Sequence, residues 1–369
     1  MTEQTDVRPD VRRIVELLQR GRERQASDLH IEPGQGAAYR IFTRIERVPG
    51  PPIEPEEIGT FIDWTLDKLS RARLDKLGMA DGVFAEHQLG SVRIHASRGK
   101  NGSRLAIRFL ARSIPELESL RLPPVIETLA SLRSGLVLVV GPTGCGKSTT
   151  IASLLDRINA SDSKHIITLE DPIEYQHAWL CSVVTQYEIG RDVASFTDGV
   201  RGALRADPDV LFIGELRGFE TVAACLQAAE TGHLVFAALH TPSETSPAIN
   251  RIIGLFPSNE QERARHRMAD ALRAIVGLRL IPLIDGSGLR AAVEILMMTD
   301  ASRRMLRDGA THQLRGAIAS SRKEGSQTLE MHLSELLARG DIDAAAARAA
   351  SCYPDELRDL SPAATRRRY

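Results

Sequence analysis

Four short, nearly continuous apolar runs punctuate the middle of this chain, at residues 136–140, 166–169, 210–213 and 234–239. Runs of that length, bounded by polar and glycine-containing segments, read as strands buried on both faces. Helical patterns alternate with them from residue 125 to about 283. The region therefore predicts an α/β domain with a parallel sheet covered on both sides. Upstream the pattern changes. Residues 10–24 carry Val11, Ile14, Val15 and Leu18 on one helical face. Residues 37–45 alternate like a half-exposed strand, and 83–86, 91–95 and 104–109 read as further strands. A proline-rich break at 49–55 precedes a helical pattern over 58–69. Together these predict a small α+β domain over 1–112. Pro115 and the Pro123-Pro124 pair mark a linker over 113–124, and 125–369 forms the second domain. Its last part, to about residue 350, reads as mainly helical and ends alanine-rich. Residues 361–369, with Arg366-Arg367-Arg368, read as a loose solvated tail.

Composition narrows the function classes. A net charge of -1 leaves no global basic field to draw nucleic acid or anionic lipid. Aromatics at 4% leave few platforms for base stacking. Cys145, Cys181, Cys225 and Cys352 form no C-x-x-C pair, so reduced thiols in a cytosolic protein are the simplest reading. The polar, acidic first ten residues do not read as a secretory signal. No apolar run has the length to span a bilayer, so membrane association is expected only through partners.

The chemistry starts directly after the first apolar run. Gly141-Pro142-Thr143-Gly144-Cys145-Gly146-Lys147-Ser148-Thr149 fits G-x-x-x-x-G-K-[S/T], and a helical pattern follows it. Strand, glycine loop and helix are the context in which such a loop aims backbone N–H groups at phosphates. Lys147 is expected to reach the outer phosphates of ATP, and Ser148 to place its hydroxyl on Mg²⁺. Glu215 follows the run 210–213 and sits where α/β sheets bind ligands, so it is the second candidate on the metal side. Glu170, Asp171 and Glu174 crowd three carboxylates behind the run 166–169. Glu170 is the candidate to orient or deprotonate the attacking water. His240 closes the run 234–239 and is positioned to sense the γ-phosphate.

These motifs, taken in order, resemble the ATPases of type II secretion and type IV pilus machines. Pilus retraction ATPases and short conjugation-type secretion ATPases are nearest in outline. The likeness spans nearly the whole chain. It rests on Ala26-Ser27-Asp28-Leu29-His30-Ile31, Ser113-Ile114-Pro115, Leu122-Pro123-Pro124 and the P-loop. It continues through Glu170-Asp171-Pro172-Ile173-Glu174, which looks like the Asp box, and Gly214-Glu215-Leu216-Arg217, which looks like the Walker B region. Thr231-Gly232-His233 to Leu239-His240-Thr241 is similar to the His box. The resemblance implies a PAS-like N-terminal domain joined to a RecA-like ATPase domain in a homo-hexamer. Such a ring works on an inner-membrane platform protein, from the cytoplasmic side, with no nucleic-acid partner. It also implies arginines from the first domain acting on the phosphates. Arg93 and Arg108 match, Arg98 is a further candidate, and Arg217 is another possible contact. Gly218 stands where the family often has an acid, and the family's tetracysteine zinc motif and long N-terminal extension are absent. Those absences point to a retraction or conjugation type, whereas residues 28–33 read like the assembly branch, so extension, retraction and secretion stay open. A RecA-like nucleic-acid motor is the alternative class; it calls for a basic channel and stacking aromatics.

Overall fold

Alternation and helical periodicity become two separate sheets in the computed structural model, which describes residues 11–42, 44–86, 89–110 and 113–357. The first ten residues and the tail at 361–369 lie outside the described residues. Contacts divide the chain between Ser113 and Ile114.

The first unit runs α1 (Arg12–Glu23), β1 (Asp28–Glu32), β2 (Gly36–Ile41), β3 (Arg44–Val48), α2 (Pro55–Thr65), α3 (Lys68–Leu77), β4 (Met79–Glu86), β5 (Gly90–Gly99) and β6 (Gly102–Phe109). Its sheet has the order β3-β2-β1-β6-β5-β4, and every pairing is antiparallel. Ile14 and Leu18 of α1 and Ile58 and Phe61 of α2 are buried with Leu29, Tyr39, Ile94 and Ile107 of the sheet. Two expectations need correction. Residues 37–45 are a hairpin, not one strand, because the chain turns at Phe42, whose φ is +43°. Residues 58–69 are two helices. Leu66 is extended, and the Asp67 carboxylate accepts from Ser70 N at 2.7 Å, capping a new helix.

The second unit runs α4 (Val125–Thr128), β7 (Gly135–Gly141), α5 (Lys147–Ser161), β8 (His165–Glu170), β9 (Val183–Glu188), α6 (Phe196–Ala203), β10 (Val210–Ile213), α7 (Phe219–Glu230), β11 (Leu234–His240), α8 (Thr245–Gly254), α9 (Gln261–Ala271), β12 (Leu272–Pro282), β13 (Leu289–Met297), α10 (Asp300–Arg307), α11 (Leu314–Ser320), α12 (Leu329–Arg339) and α13 (Ala344–Ala350). The strand order is β13-β12-β7-β11-β10-β8-β9, parallel except for β13, which runs antiparallel to β12. One core packs Leu138, Ile167, Leu211 and Val235 under α7 and α9, and another packs Val139, Phe212 and Phe236 under α5. Both faces are therefore covered, which is why these strands read as unbroken apolar runs.

The stretch from Ile114 also packs on this unit. Leu117 is buried in the α5-side core, and Ser153 Oγ donates to Pro115 O at 2.7 Å. The segment after residue 283 is mainly helical, as its pattern predicts, but it opens with β13 before α10–α13. Asp285-Gly286-Ser287-Gly288, with Asp285 Oδ1 accepting from Ser287 N at 2.9 Å, makes the turn between β12 and β13. No helix among the described residues is long and apolar enough to cross a membrane.

Candidate active site

β7, β11, β10 and β8 are parallel neighbours, so their C-terminal ends share one edge of the sheet. That edge collects Gly141, His240, Glu215 and Glu170 from four distant parts of the sequence. His240 is the direct register partner of Gly141. The loop itself needs its first glycine. A Cβ on Gly141, at φ +148°, would stand 2.5 Å from Leu278 O and 2.6 Å from Cys145 Sγ. Lys147 begins α5, so the loop amides precede a helix N-terminus.

Lys147 is curled onto its own loop. Its Nζ donates to Gly141 O at 2.9 Å and to Pro142 O at 2.8 Å, and lies 3.1 Å from His240 Nδ1. An ammonium has only donors, so Nδ1 accepts and the neutral ring carries its proton on Nε2. Burial and the Lys147 charge both hold the His240 pKa below its ordinary value, which favours that neutral form. His240 Nε2 then faces Glu215 Oε2 at 3.9 Å. The same Glu215 oxygen accepts from Arg217 Nε at 2.8 Å and Nη2 at 2.7 Å. Arg217 also reaches Asp171 at 3.5 Å, tying the strand end of β10 to that of β8.

The crowded acids at 170–174 separate by environment. Asp171 has Arg217 beside it, and the charge of Glu174 acts on Lys147. Glu170 is only 7% exposed. Burial pushes its carboxyl up to about 7, against the opposing hydrogen bonds from Thr168 and Gln186. A carboxylate poised near neutrality suits a general base. The segment after His240 is held tightly as well. Thr245 N donates to buried Glu294 Oε1 at 2.8 Å, and a Cβ on Gly277 would meet Ser243 O at 1.8 Å.

Cys145 is 3% exposed and tucked under the loop beside Gly141, and burial raises its thiol pKa. Arg93 and Arg108 lie in the first unit as register partners on β5 and β6. Arg93 pairs with Asp81 at 3.9 Å and Arg98 with Asp75 at 2.6 Å, both exposed, whereas Arg108 pairs at 3.0 Å with Asp28, whose side chain is largely buried. Sequence reasoning missed Thr168, Tyr175 and Gln186. Thr168 sits two positions before Glu170 on the same strand face. Gln186 lies on β9, a strand whose mixed polar pattern hid it.

A family model described as "Type II/IV secretion system protein" matches residues 86–350. The chain belongs to the type II/IV secretion and pilus ATPase family. It is 35% identical to the type IV pilus retractation ATPase PilT of Pseudomonas aeruginosa, over 93% of this chain and 99% of that protein. A twitching motility protein of Neisseria gonorrhoeae is 34% identical over 84% of this chain and 82% of its own. A crystal structure of the pilus retraction motor PilT with bound ADP superposes with a TM-score of 0.83, at 39% identity. It covers 93% of this chain and 98% of that one. The α/β architecture of this family ATPase, a small antiparallel domain followed by a parallel-centred sheet, is thus shared along nearly its whole length.

Proposed function

We propose that this chain is the subunit of a hexameric ATPase ring that drives type IV pilus retraction or a related secretion or conjugation system. The observation that carries this is the convergence of Lys147, Glu170, Glu215 and His240 on one sheet edge, supported by the full-length similarity to PilT. ATP binds with its phosphates on the amides of residues 141–149, including Thr143 and Thr149, and Lys147 turns from its loop carbonyls to the outer phosphates. Glu170 takes a proton from the attacking water. His240, joined to Lys147 through Nδ1 and facing Glu215 through Nε2, reports the state of the γ-phosphate. Ser148 and Glu215 offer a hydroxyl and a carboxylate, hard oxygens that fit Mg²⁺ with its retained waters. Mg²⁺ supplies charge neutralisation at the phosphates when bound.

Arg93 and Arg108 supply cations to the transition state. The exposed Arg93–Asp81 pair is worth at most about 1 kcal/mol, so Arg93 leaves it easily. The ring works from the cytoplasmic side on an inner-membrane platform protein.

The test is ATP turnover of the purified protein against Glu170→Gln, with light scattering for the oligomer mass. A hexamer that turns over slowly, and a variant that binds ATP without hydrolysing it, are expected. A variant with normal hydrolysis removes Glu170 from its role. A monomer that needs DNA for turnover refutes the motor reading.

A further inference from the structure

The start of α8 is capped from a distance. Glu244 stands at the N-cap position but turns its carboxylate to Cys352 Sγ, which donates to Oε1 at 3.1 Å. The helix amide of Thr245 donates instead to Glu294 Oε1 of β13 at 2.8 Å, and both residues are buried. A carboxylate at this point pairs an otherwise orphaned N–H and meets the positive end of the helix. Thr245 follows His240 by five positions, and Thr241 and Ser243 between them are buried as well. Gly277 of β12 closes against Ser243 O on the other side.

A buried carboxylate needs a cation. Arg315 of α11 supplies it. Its Nη1 lies 3.9 Å from Glu294 Oε2, and its Nη2 donates to Glu330 Oε2 of α12 at 2.9 Å and to Glu356 Oε2 at 2.5 Å. The Tyr353 ring lies over the guanidinium at 3.7 Å. Three carboxylates and one aromatic face therefore surround a single arginine. Glu330 is fully buried, and its Oε1 accepts from Ser351 Oγ at 2.9 Å and from Cys352 N and Tyr353 N at 3.1 Å. Burial pushes the Glu294 carboxyl up, and the Thr245 hydrogen bonds and then the Arg315 charge oppose that shift. Residues 351–356 thus reach the start of α8 twice, directly through Cys352 and through Glu330, Arg315 and Glu294.

We propose that Arg315 is a positioning residue for ATP hydrolysis, which through Glu294 pins the start of α8 and so fixes the segment that holds His240 at the sheet edge. The inference rests on His240 reporting the γ-phosphate. β11 holds His240 from one side only. On the other side the chain is fixed by the pin at Thr245, and without it the segment can lift from β12. A guanidinium fork serves several carboxylates at once, which the compact ammonium of lysine does less well.

The test is steady-state ATP hydrolysis by the full-length protein carrying Arg315→Met, with the dissociation constant for Mg·ATP and peptide-resolved hydrogen exchange of the nucleotide-free protein. Turnover should fall about tenfold while ATP affinity stays within about twofold. Exchange should quicken over residues 241–250 and stay as in the parent over 141–160. Arg315→Lys keeps the charge and should restore part of the lost turnover. Arg315→Met combined with Glu330→Gln removes both charges of the buried pair and should give the same kcat loss, which keeps the test alive if the single variant does not fold. An unchanged kcat, a loss matched by equally weakened ATP binding, or a loss with unaltered exchange over 241–250 overturns the inference. His240→Gln separates the two levels: if it is impaired while Arg315→Met turns over normally, only Arg315 is misassigned. If it hydrolyses ATP normally, the role of His240 itself is misassigned.

Discussion

Replacing Glu170 by glutamine should make the protein more stable, and only above a defined pH. Glu170 is 7% exposed, and burial pushes its carboxyl from 4.5 to about 7. Between those values the native state holds a proton that the unfolded chain has released. Stability therefore falls as pH rises through that window, and the full penalty is present above about pH 7. At about 1.4 kcal/mol per pH unit, the separation amounts to about 3 kcal/mol. A glutamine side chain at this position would carry no charge at any pH, and its amide oxygen can still accept from Thr168 and Gln186. The measurement is calorimetric or fluorescence melting of the nucleotide-free protein at about pH 5 and about pH 8.5. At the lower pH the variant and parent should melt nearly together. At the higher pH the variant's second unit should melt higher by roughly 5–10 °C. An increment equal at both pH values, or a variant less stable at the higher one, would show that burial does not hold the Glu170 proton and would refute the reasoning.

Gly277→Ala should destabilise the second unit by about 2–3 kcal/mol, because a Cβ there would stand 1.8 Å from Ser243 O. Urea titration gives the stability, and an unchanged midpoint would mean that the segment after His240 is not pressed against β12. In the native protein a maleimide should label exposed Cys181 first, and leave Cys145 and Cys225 unreacted, since both are buried with their thiol pKa raised. Mass spectrometry of timed digests reads this. Labelling of Cys145 at the rate of Cys181 would place its sulfur on the outside of the loop.

Much of the site was legible because it is written in local patterns. A glycine loop between an apolar run and a helix has few meanings, so residues 141–149 read as a phosphate cradle from their spacing and flanks alone. Acids and a histidine directly behind buried runs marked Glu170, Glu215 and His240, because a strand's end is where the chain leaves the core. Local pattern was insufficient where a short-range signal competed with periodicity. Phe42 adopts a left-handed turn that no glycine announces, and Asp67 caps a helix inside a longer helical pattern.

By itself, then, the sequence determined the presence of a P-loop, the four central strands, the acids at their ends and the ordered motifs of the secretion and pilus ATPases. These depend on residue type and spacing within a few positions. Only the tertiary structure decided the strand order that places β11, β10 and β8 beside β7 and so makes four separate residues one site. It also decided that Lys147 folds back on its own loop, that the His240 proton lies on Nε2, and that Cys145 lies beneath the cradle. Gln186 became visible in the same way, through its register with Thr168 across two strands. Register, burial and charge pairing join residues far apart in the chain, and their energies depend on neighbours that no local pattern names.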